Sequence, residues 1–311
     1  MKHEKVEFRQ RLDFGQLISY FFEFVKYNWQ GFSNAFLRYN GIFILAFIGV
    51  SYLMVSGYFG LINSLNINGS FSSEYESYTT TVFAGLFIYF VLLLLVTAVN
   101  YGISSVYMSE YVKLENTSQQ VDGRVVWKII KKRSGSLALF MLLLVLLSIA
   151  WLIVFVILAF IPLIGALFGY ALLFGLLSWA GVSCMAMFHE EMGPADALGY
   201  GWNLLMSNFW KCVGVNFVLG IIIGILRLFI LSIPGIIGFF LFYLAVEERS
   251  LEITDTIFTI TWTMFVAVAT VVSIYAQALG QFMNGGLYFS LSESKTNNFL
   301  RSKIEQIGVR E

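Results

Sequence analysis

One basic residue stands inside a long apolar stretch, where charged side chains are rare. Arg227 precedes Pro234 by about six residues, which places it roughly 9 Å below the end of its stretch at 1.5 Å per residue. An ionisable side chain at that depth could bind an anionic headgroup or an anionic substrate. The alternative, which we favour, is that the long side chain snorkels to the nearer interface.

Three amides, Asn100, Gln277 and Gln281, also lie in apolar stretches and could line a polar path. The two glutamines are four residues apart, so they share one face of a helix. No Asp or Glu lies in the same stretches to relay protons or to hold a cation. We therefore favour hydrogen bonding between helices over an ion-coupled transport path.

The run His189-Glu190-Glu191 offers the residue types of a metal site. A zinc protease pattern needs a second histidine one helical turn later, but position 193 is glycine and His3 is the only other histidine. The run therefore predicts a solvated helix end. The sequence also lacks a nucleophile paired with a base, paired carboxylates and a glycine-rich phosphate loop, so we expect no catalytic residues, no metal and no cofactor.

The elements that carry these residues must suit a very apolar chain. Hydrophobic residues make up 58% and charged residues 12% of the sequence, and the mean hydropathy is +0.78. A soluble domain carries about a quarter charged residues, so this composition predicts a membrane protein. The formal net charge is zero, which implies no nucleic-acid partner.

Six apolar stretches are long enough to cross a hydrocarbon core of about 30 Å. They predict an all-α polytopic helical bundle forming one integral membrane domain over 1–311, with spans near 41–62, 82–108, 137–161, 163–188, 211–233 and 256–283. Pro162 predicts a tight turn between spans three and four. The apolar segment 235–246 is too short to cross, so we expect a kinked continuation of span five, an interfacial helix or a re-entrant helix.

The basic residues predict the orientation, because positively charged loops resist translocation. Six Lys or Arg precede span one, six follow span two and four lie in the tail, whereas the loop 63–81 has none. Both termini are therefore predicted to be cytoplasmic, as an amphipathic segment over 1–40 and a tail over 284–311. The basic loop 109–136 is typical of a surface for anionic lipid.

A short internal repeat predicts amphipathic interfacial helices on the cytoplasmic side. Residues 17–29 match 197–209 at an offset of 180, and a weaker third copy begins at Val125. Each copy precedes a pair of spans and carries aromatic residues of the kind that sit at headgroup depth.

Two further stretches resemble a known group of proteins. The run from Ala195 to Trp202 with Phe209-Trp210, and the ending from Gly286 to Leu291 with Phe299-Leu300, resemble bacterial six-span inner-membrane proteins. The group is similar to YciC-like proteins and to the membrane domain attached to some glycerophosphodiester phosphodiesterases. The resemblance implies a bacterial inner-membrane location without an established activity. This chain offers no positions that match the catalytic residues of the phosphodiesterase.

These observations favour a non-enzymatic scaffold, accessory subunit or lipid-organising protein. We expect its partners to be the lipid bilayer, with anionic lipids at the cytoplasmic face, and a membrane protein. The alternative is a transporter or exporter of a small amphipathic or lipid-like solute. It predicts a wide cavity where Arg227, Asn100, Gln277 and Gln281 converge. A membrane-embedded enzyme ranks third, and needs His189 and Glu190 to meet a third polar group in a pocket.

Overall fold

The fold is helical throughout the part of the chain that the structure, a computed structural model, describes. The described residues are 6–64, 74–114, 120–161, 163–248, 251–297, 299, 301 and 304–305. They form eight helices: α1 Phe14–Ser64, α2 Tyr75–Lys113, α3 Gly123–Lys132, α4 Ser134–Ala159, α5 Ile164–His189, α6 Pro194–Ser207, α7 Phe209–Glu248 and α8 Leu251–Thr296.

Six of these helices, α1, α2, α4, α5, α7 and α8, are long and apolar enough to cross a membrane. The predicted all-α, six-span bundle is confirmed, and the chain is a multi-pass membrane protein. α4 is the most apolar of the six, and none of the 18 residues in its most apolar stretch is buried inside the protein. Lipid is the solvent for such a helix, because most of its apolar surface is not covered by protein.

α1 shows that span one and most of the predicted N-terminal segment 1–40, from Phe14 onward, are a single helix. It runs without a break over 51 residues, about 77 Å at 1.5 Å per residue, which is far longer than the hydrocarbon core. No proline precedes position 162, so nothing in the covalent chain interrupts its hydrogen bonds. The later copies of the repeat are instead separate helices, α3 and α6, and α6 ends at Ser207, just before Asn208.

α7 decides among the three alternatives for 235–246. The helix continues from Phe209 to Glu248 with Pro234 inside it, so the segment is a continuation of span five. A proline removes one backbone hydrogen bond, and helices in membranes tolerate this loss when their other bonds are intact.

The turn between spans three and four depends on a glycine. Pro162 itself lies outside the described residues, but α4 ends at Ala159 and α5 begins at Ile164. A Cβ atom at Gly165 would lie 1.8 Å from the carbonyl oxygen of Leu158, so only glycine fits there. This close approach keeps the hairpin tight.

The chain divides into two compact units. Unit 1 comprises Met1–Leu37, Ala98–Ile221 and Gln277–Glu311, and unit 2 comprises Arg38–Thr97 and Ile222–Ala276. The core of unit 1 is aromatic: Phe282 lies 4.4 Å from Phe32, 5.2 Å from Phe24 and 5.8 Å from Tyr107 between ring centroids. These edge-on and tilted contacts join α1, α2 and α8.

In unit 2, ring packing and a hydroxyl contact join α1, α2 and α8. The rings of Phe47 and Tyr89 lie 5.2 Å apart, and the Tyr89 hydroxyl is 2.5 Å from Oγ1 of Thr270. A Cβ at Gly60 would lie 2.3 Å from the ring of Tyr78, so glycine allows α1 and α2 to approach closely.

Residues 6–13, which precede α1, form hydrogen bonds with three helices of unit 1. The backbone N–H of Val6 donates to the Tyr111 hydroxyl at 3.1 Å, and that of Leu12 donates to Oγ of Ser290 at 3.2 Å. Lys211 donates to the carbonyl oxygen of Leu12 at 2.6 Å. The N-terminal segment is therefore an integral part of unit 1.

Candidate functional site

Three of the four candidate residues named from the sequence belong to an amide cluster in unit 1, in which Asn100 and Gln281 are buried and Gln277 is half-buried. Asn100 donates to Oε1 of Gln277 at 3.3 Å, which joins α2 to α8. Gln281 donates to Oγ of Ser105 at 2.8 Å and to the carbonyl oxygen of Gly181 at 3.0 Å, which adds α5. These contacts are hydrogen bonds between helices, the interpretation that the sequence favours.

A second amide cluster lies further along the same face of α8. We call this face, which carries Gln277, Gln281 and Asn284, the amide stripe. Asn216 on α7 donates to Oγ of Ser178 at 2.6 Å and to Oδ1 of Asn284 at 2.9 Å. Sequence reasoning missed both asparagines. The signal was present for one of them, because Asn284 continues the spacing of Gln277 and Gln281 along one helix face.

Arg227, the fourth candidate, belongs to unit 2. Its side chain is half-buried, and its Nε atom has no hydrogen-bond partner among the described residues. The amide cluster therefore contains only three of the four residues that the transport hypothesis places along one path. Neither of the two larger cavities described next is lined by any of the four.

The larger cavity, which we call the Lys132 cavity, has a volume of about 340 Å³. It is built from the end of α2, the α3–α4 junction, the end of α5 and the residue Glu191 that follows α5. Its polar lining carries both signs of charge: Glu110, Lys113, Lys132, Arg133 and Glu191, with the hydroxyls of Ser109 and Ser136. Its apolar lining is Val106, Ile129 and Phe188.

Arg133 joins the α3–α4 junction to the end of α5 and to the residues that follow it. Its guanidinium donates to the carbonyl oxygen of Met187 and, at 2.6 Å, to that of Met192. The last carbonyls of a helix have no partner within the helix, so a basic side chain is well placed at the end of α5. Glu191 follows with a φ of 56°, a left-handed conformation that turns the chain toward α6.

The second cavity, which we call the Tyr288 cavity, has a volume of about 280 Å³. His189 and Glu190 both line it. The fully buried Tyr288 donates its hydroxyl proton to Oε1 of Glu190 at 2.6 Å. Arg9 lies at the same cavity, where it pairs with Glu7 at 3.0 Å and lies 4.2 Å from the ring centroid of Phe299.

The prediction of a solvated helix end holds for Glu190 and Glu191, which are exposed, but not for His189. Its imidazole is half-buried, lies 4.9 Å from the ring of Phe289, and places Nδ1 2.9 Å from Oγ of Ser109. His189 and Glu190 therefore do meet further polar groups at a cavity. The partners, Ser109 and Tyr288, come from α2 and α8, and no local pattern near position 189 points to them. Within the described residues, no group of three or more His, Cys, Asp or Glu could hold a metal ion.

α3 presents a basic surface in unit 1. Asp122 begins the helix by accepting a hydrogen bond from the backbone N–H of Arg124 at 2.8 Å. Val126 and Ile130 are buried on one face. The opposite face exposes Lys128, Lys131 and Lys132. Every described Lys or Arg of the chain except Arg38 and Arg227 lies in unit 1.

Comparison with known proteins gave no match. A scan against protein-family models, a search of curated proteins and a search of solved structures each found nothing similar to this chain.

Proposed function

We propose that this protein is a lipid-organising, non-enzymatic protein of the bacterial inner membrane, with both termini in the cytoplasm. In this proposal the exposed lysines of α3 bind anionic phospholipid headgroups. The observation that carries it is the combination of buried Val126 and Ile130 with an exposed face of Lys128, Lys131 and Lys132 on one ten-residue helix. A lysine near an anionic membrane surface is worth about 1 kcal/mol.

The position of α3 in the chain supports this role. Only Arg133 separates α3 from α4, whose apolar residues face lipid. A helix joined directly to a span lies near the depth of the headgroups. Because α3 buries its apolar face in the protein, its lysines are held in a fixed direction, whereas a free amphipathic helix would bury that face in the bilayer.

The test replaces two of these lysines in the full-length protein. Lys128→Ser with Lys131→Ser removes two charges and touches neither cavity. The protein is exchanged against phosphatidylcholine vesicles that contain phosphatidylglycerol, and the retained phosphatidylglycerol is measured by native mass spectrometry. We expect this retention to weaken up to roughly 30-fold at low salt. The matched control, Lys26→Ser with Lys295→Ser, removes the same charge elsewhere in unit 1 and is expected to change little. Equal loss in both variants, or no loss in either, would contradict the proposal.

A membrane-embedded enzyme is a second candidate, and one observation favours it. The 2.9 Å contact between Ser109 and His189 pairs a hydroxyl with a base at the edge of a cavity. Labelling with a serine-reactive fluorophosphonate tests it. If the protein is an enzyme, Ser109 is labelled and the labelling is weaker in the His189→Ala variant. If the wild-type protein is not labelled, the enzyme hypothesis is rejected.

The transport alternative has less support. Asn100, Gln277 and Gln281 bond neighbouring helices, and Arg227 belongs to the other unit. A path for a solute needs polar groups that face open space.

A further inference from the structure

We infer that the Lys132 cavity binds a phosphate ester that carries a primary ammonium group, such as the headgroup of phosphatidylethanolamine. This inference rests on the proposed lipid-binding function and names a second site with a different headgroup. Lys128 and Lys131, which do not line the cavity, attract any anionic lipid, whereas the cavity, which Lys132 lines, carries fixed charges of both signs and can select a zwitterion.

Within the part of the chain that the structure describes, two opposite charges at the cavity have no partner. Lys113 is paired with Glu110 at 2.8 Å, and the guanidinium of Arg133 binds two backbone carbonyls. Among the described residues, the side chains of Lys132 and Glu191 form no hydrogen bond and no ion pair, either with each other or with a third group. A ligand with one negative and one positive group would satisfy both of them.

The chemistry of the lining matches the two ends of such a ligand. A phosphate accepts hydrogen bonds from Lys132, and the hydroxyl of Ser136 is a further donor at the same cavity. A primary ammonium has three N–H donors and suits the carboxylate of Glu191. A choline group has no N–H, and a glycerol group carries no positive charge. The cavity is therefore expected to prefer ethanolamine over both.

The size and position of the cavity suit a lipid. Its volume of about 340 Å³ falls within the range of about 300–1,000 Å³ that is typical of small-molecule sites. Ser136 belongs to the first turn of α4. The most apolar stretch of this helix has no buried residue. Acyl chains attached to a headgroup in the cavity could run along this lipid-facing helix, with Val106, Ile129 and Phe188 as the apolar contacts beside the headgroup.

The test compares headgroups that differ only in the ammonium. Full-length protein in mild detergent is exchanged against vesicles of phosphatidylethanolamine or phosphatidylcholine, and the retained lipid is measured by native mass spectrometry. We expect wild type to retain the ethanolamine lipid about three- to fivefold better, since an ion pair with an exposed carboxylate is partly screened. Glu191→Gln should abolish this preference, and Lys132→Ser should weaken retention of both lipids.

The variants separate this inference from the proposed function. Lys128→Ser with Lys131→Ser should lower retention of phosphatidylglycerol and leave the preference for ethanolamine intact. A further experiment measures the binding of soluble phosphoethanolamine. Retention of the lipid assigns the site to a membrane headgroup, whereas binding of the soluble ester alone assigns it to a soluble ligand with the same chemistry. Equal retention of both lipids by wild type with no binding of the soluble ester, or an unchanged preference in Glu191→Gln, overturns the inference.

Discussion

Gly181 on α5 lies against the amide side chains of Gln281 and Asn284 on α8. Its carbonyl oxygen accepts from Gln281, and a Cβ atom there would lie 2.2 Å from Nδ2 of Asn284. Small residues let helices in membranes approach until such hydrogen bonds form. The amides and the glycine therefore depend on one another.

Gly181→Ala is expected to lower stability by about 1–3 kcal/mol, because Asn284 must move and give up its bond with Asn216. Thermal unfolding in detergent, followed by size-exclusion chromatography, measures the loss. Gly199→Ala is the matched control: nothing lies within 4 Å of the added Cβ, so this variant should be neutral or slightly more stable. A Gly181→Ala protein as stable as the control would show that the amide stripe contributes little.

Arg133 donates to two backbone carbonyls, that of Met187 in the last turn of α5 and, at 2.6 Å, that of Met192 beyond the helix. Arg133→Ala leaves both acceptors without this donor, and we expect a loss of roughly 1–3 kcal/mol in the same unfolding measurement. Arg124→Ala removes an equal charge at an exposed position of α3 and should cost less than about 0.5 kcal/mol. Equal effects of the two substitutions would mean that charge, not the carbonyl contacts, decides the outcome.

Of the eight helices α1–α8, α3 is the shortest, and its stability depends on its first turn. Isolated helices of about ten residues are marginal in water, so α3 needs both its buried face and the cap at Asp122. The lysines that we assign to lipid binding are directed outward only while this helix is formed.

Asp122→Ala should increase hydrogen exchange in the backbone amides of 123–132, because the loss of a cap costs about 1 kcal/mol. Asp122→Asn keeps a side chain that caps equally well and should restore slow exchange. Hydrogen exchange measured by mass spectrometry on the detergent-purified protein distinguishes the two. Fast exchange in both variants would indicate that the negative charge, and not the cap, stabilises α3.

At the scale of the whole molecule, the charges are distributed unevenly between the two units. All described Lys and Arg residues other than Arg38 and Arg227 belong to unit 1. Basic residues that flank spans resist translocation, so this distribution supports the proposed cytoplasmic position of both termini.

Reporter fusions test this orientation. We expect green fluorescent protein fused after residue 311 to fluoresce, and alkaline phosphatase fused at that position to be inactive. Alkaline phosphatase inserted into the loop 63–81, which has no Lys or Arg, should be active. The reverse pattern would place the basic residues outside and remove the basis for anionic-lipid binding at the cytoplasmic leaflet.

The number of spans and the amphipathic character of α3 could both be predicted from the sequence. Spans follow from the length of apolar runs, and the faces of α3 follow from its helical spacing, so neither requires knowledge of distant residues. The same is true of the shared face of Gln277 and Gln281. These are properties of consecutive residues in one element.

Only the tertiary structure decided how the elements meet. Ser109 and His189 are 80 residues apart, and Glu190 and Tyr288 are 98 apart, so their contacts follow from helix packing and from no local pattern. The continuation of α7 through Pro234 also lay beyond the sequence, because a proline ends some helices and is tolerated in others. Which of these occurs depends on whether the rest of the helix keeps its bonds and its apolar surroundings, and the folded protein sets both.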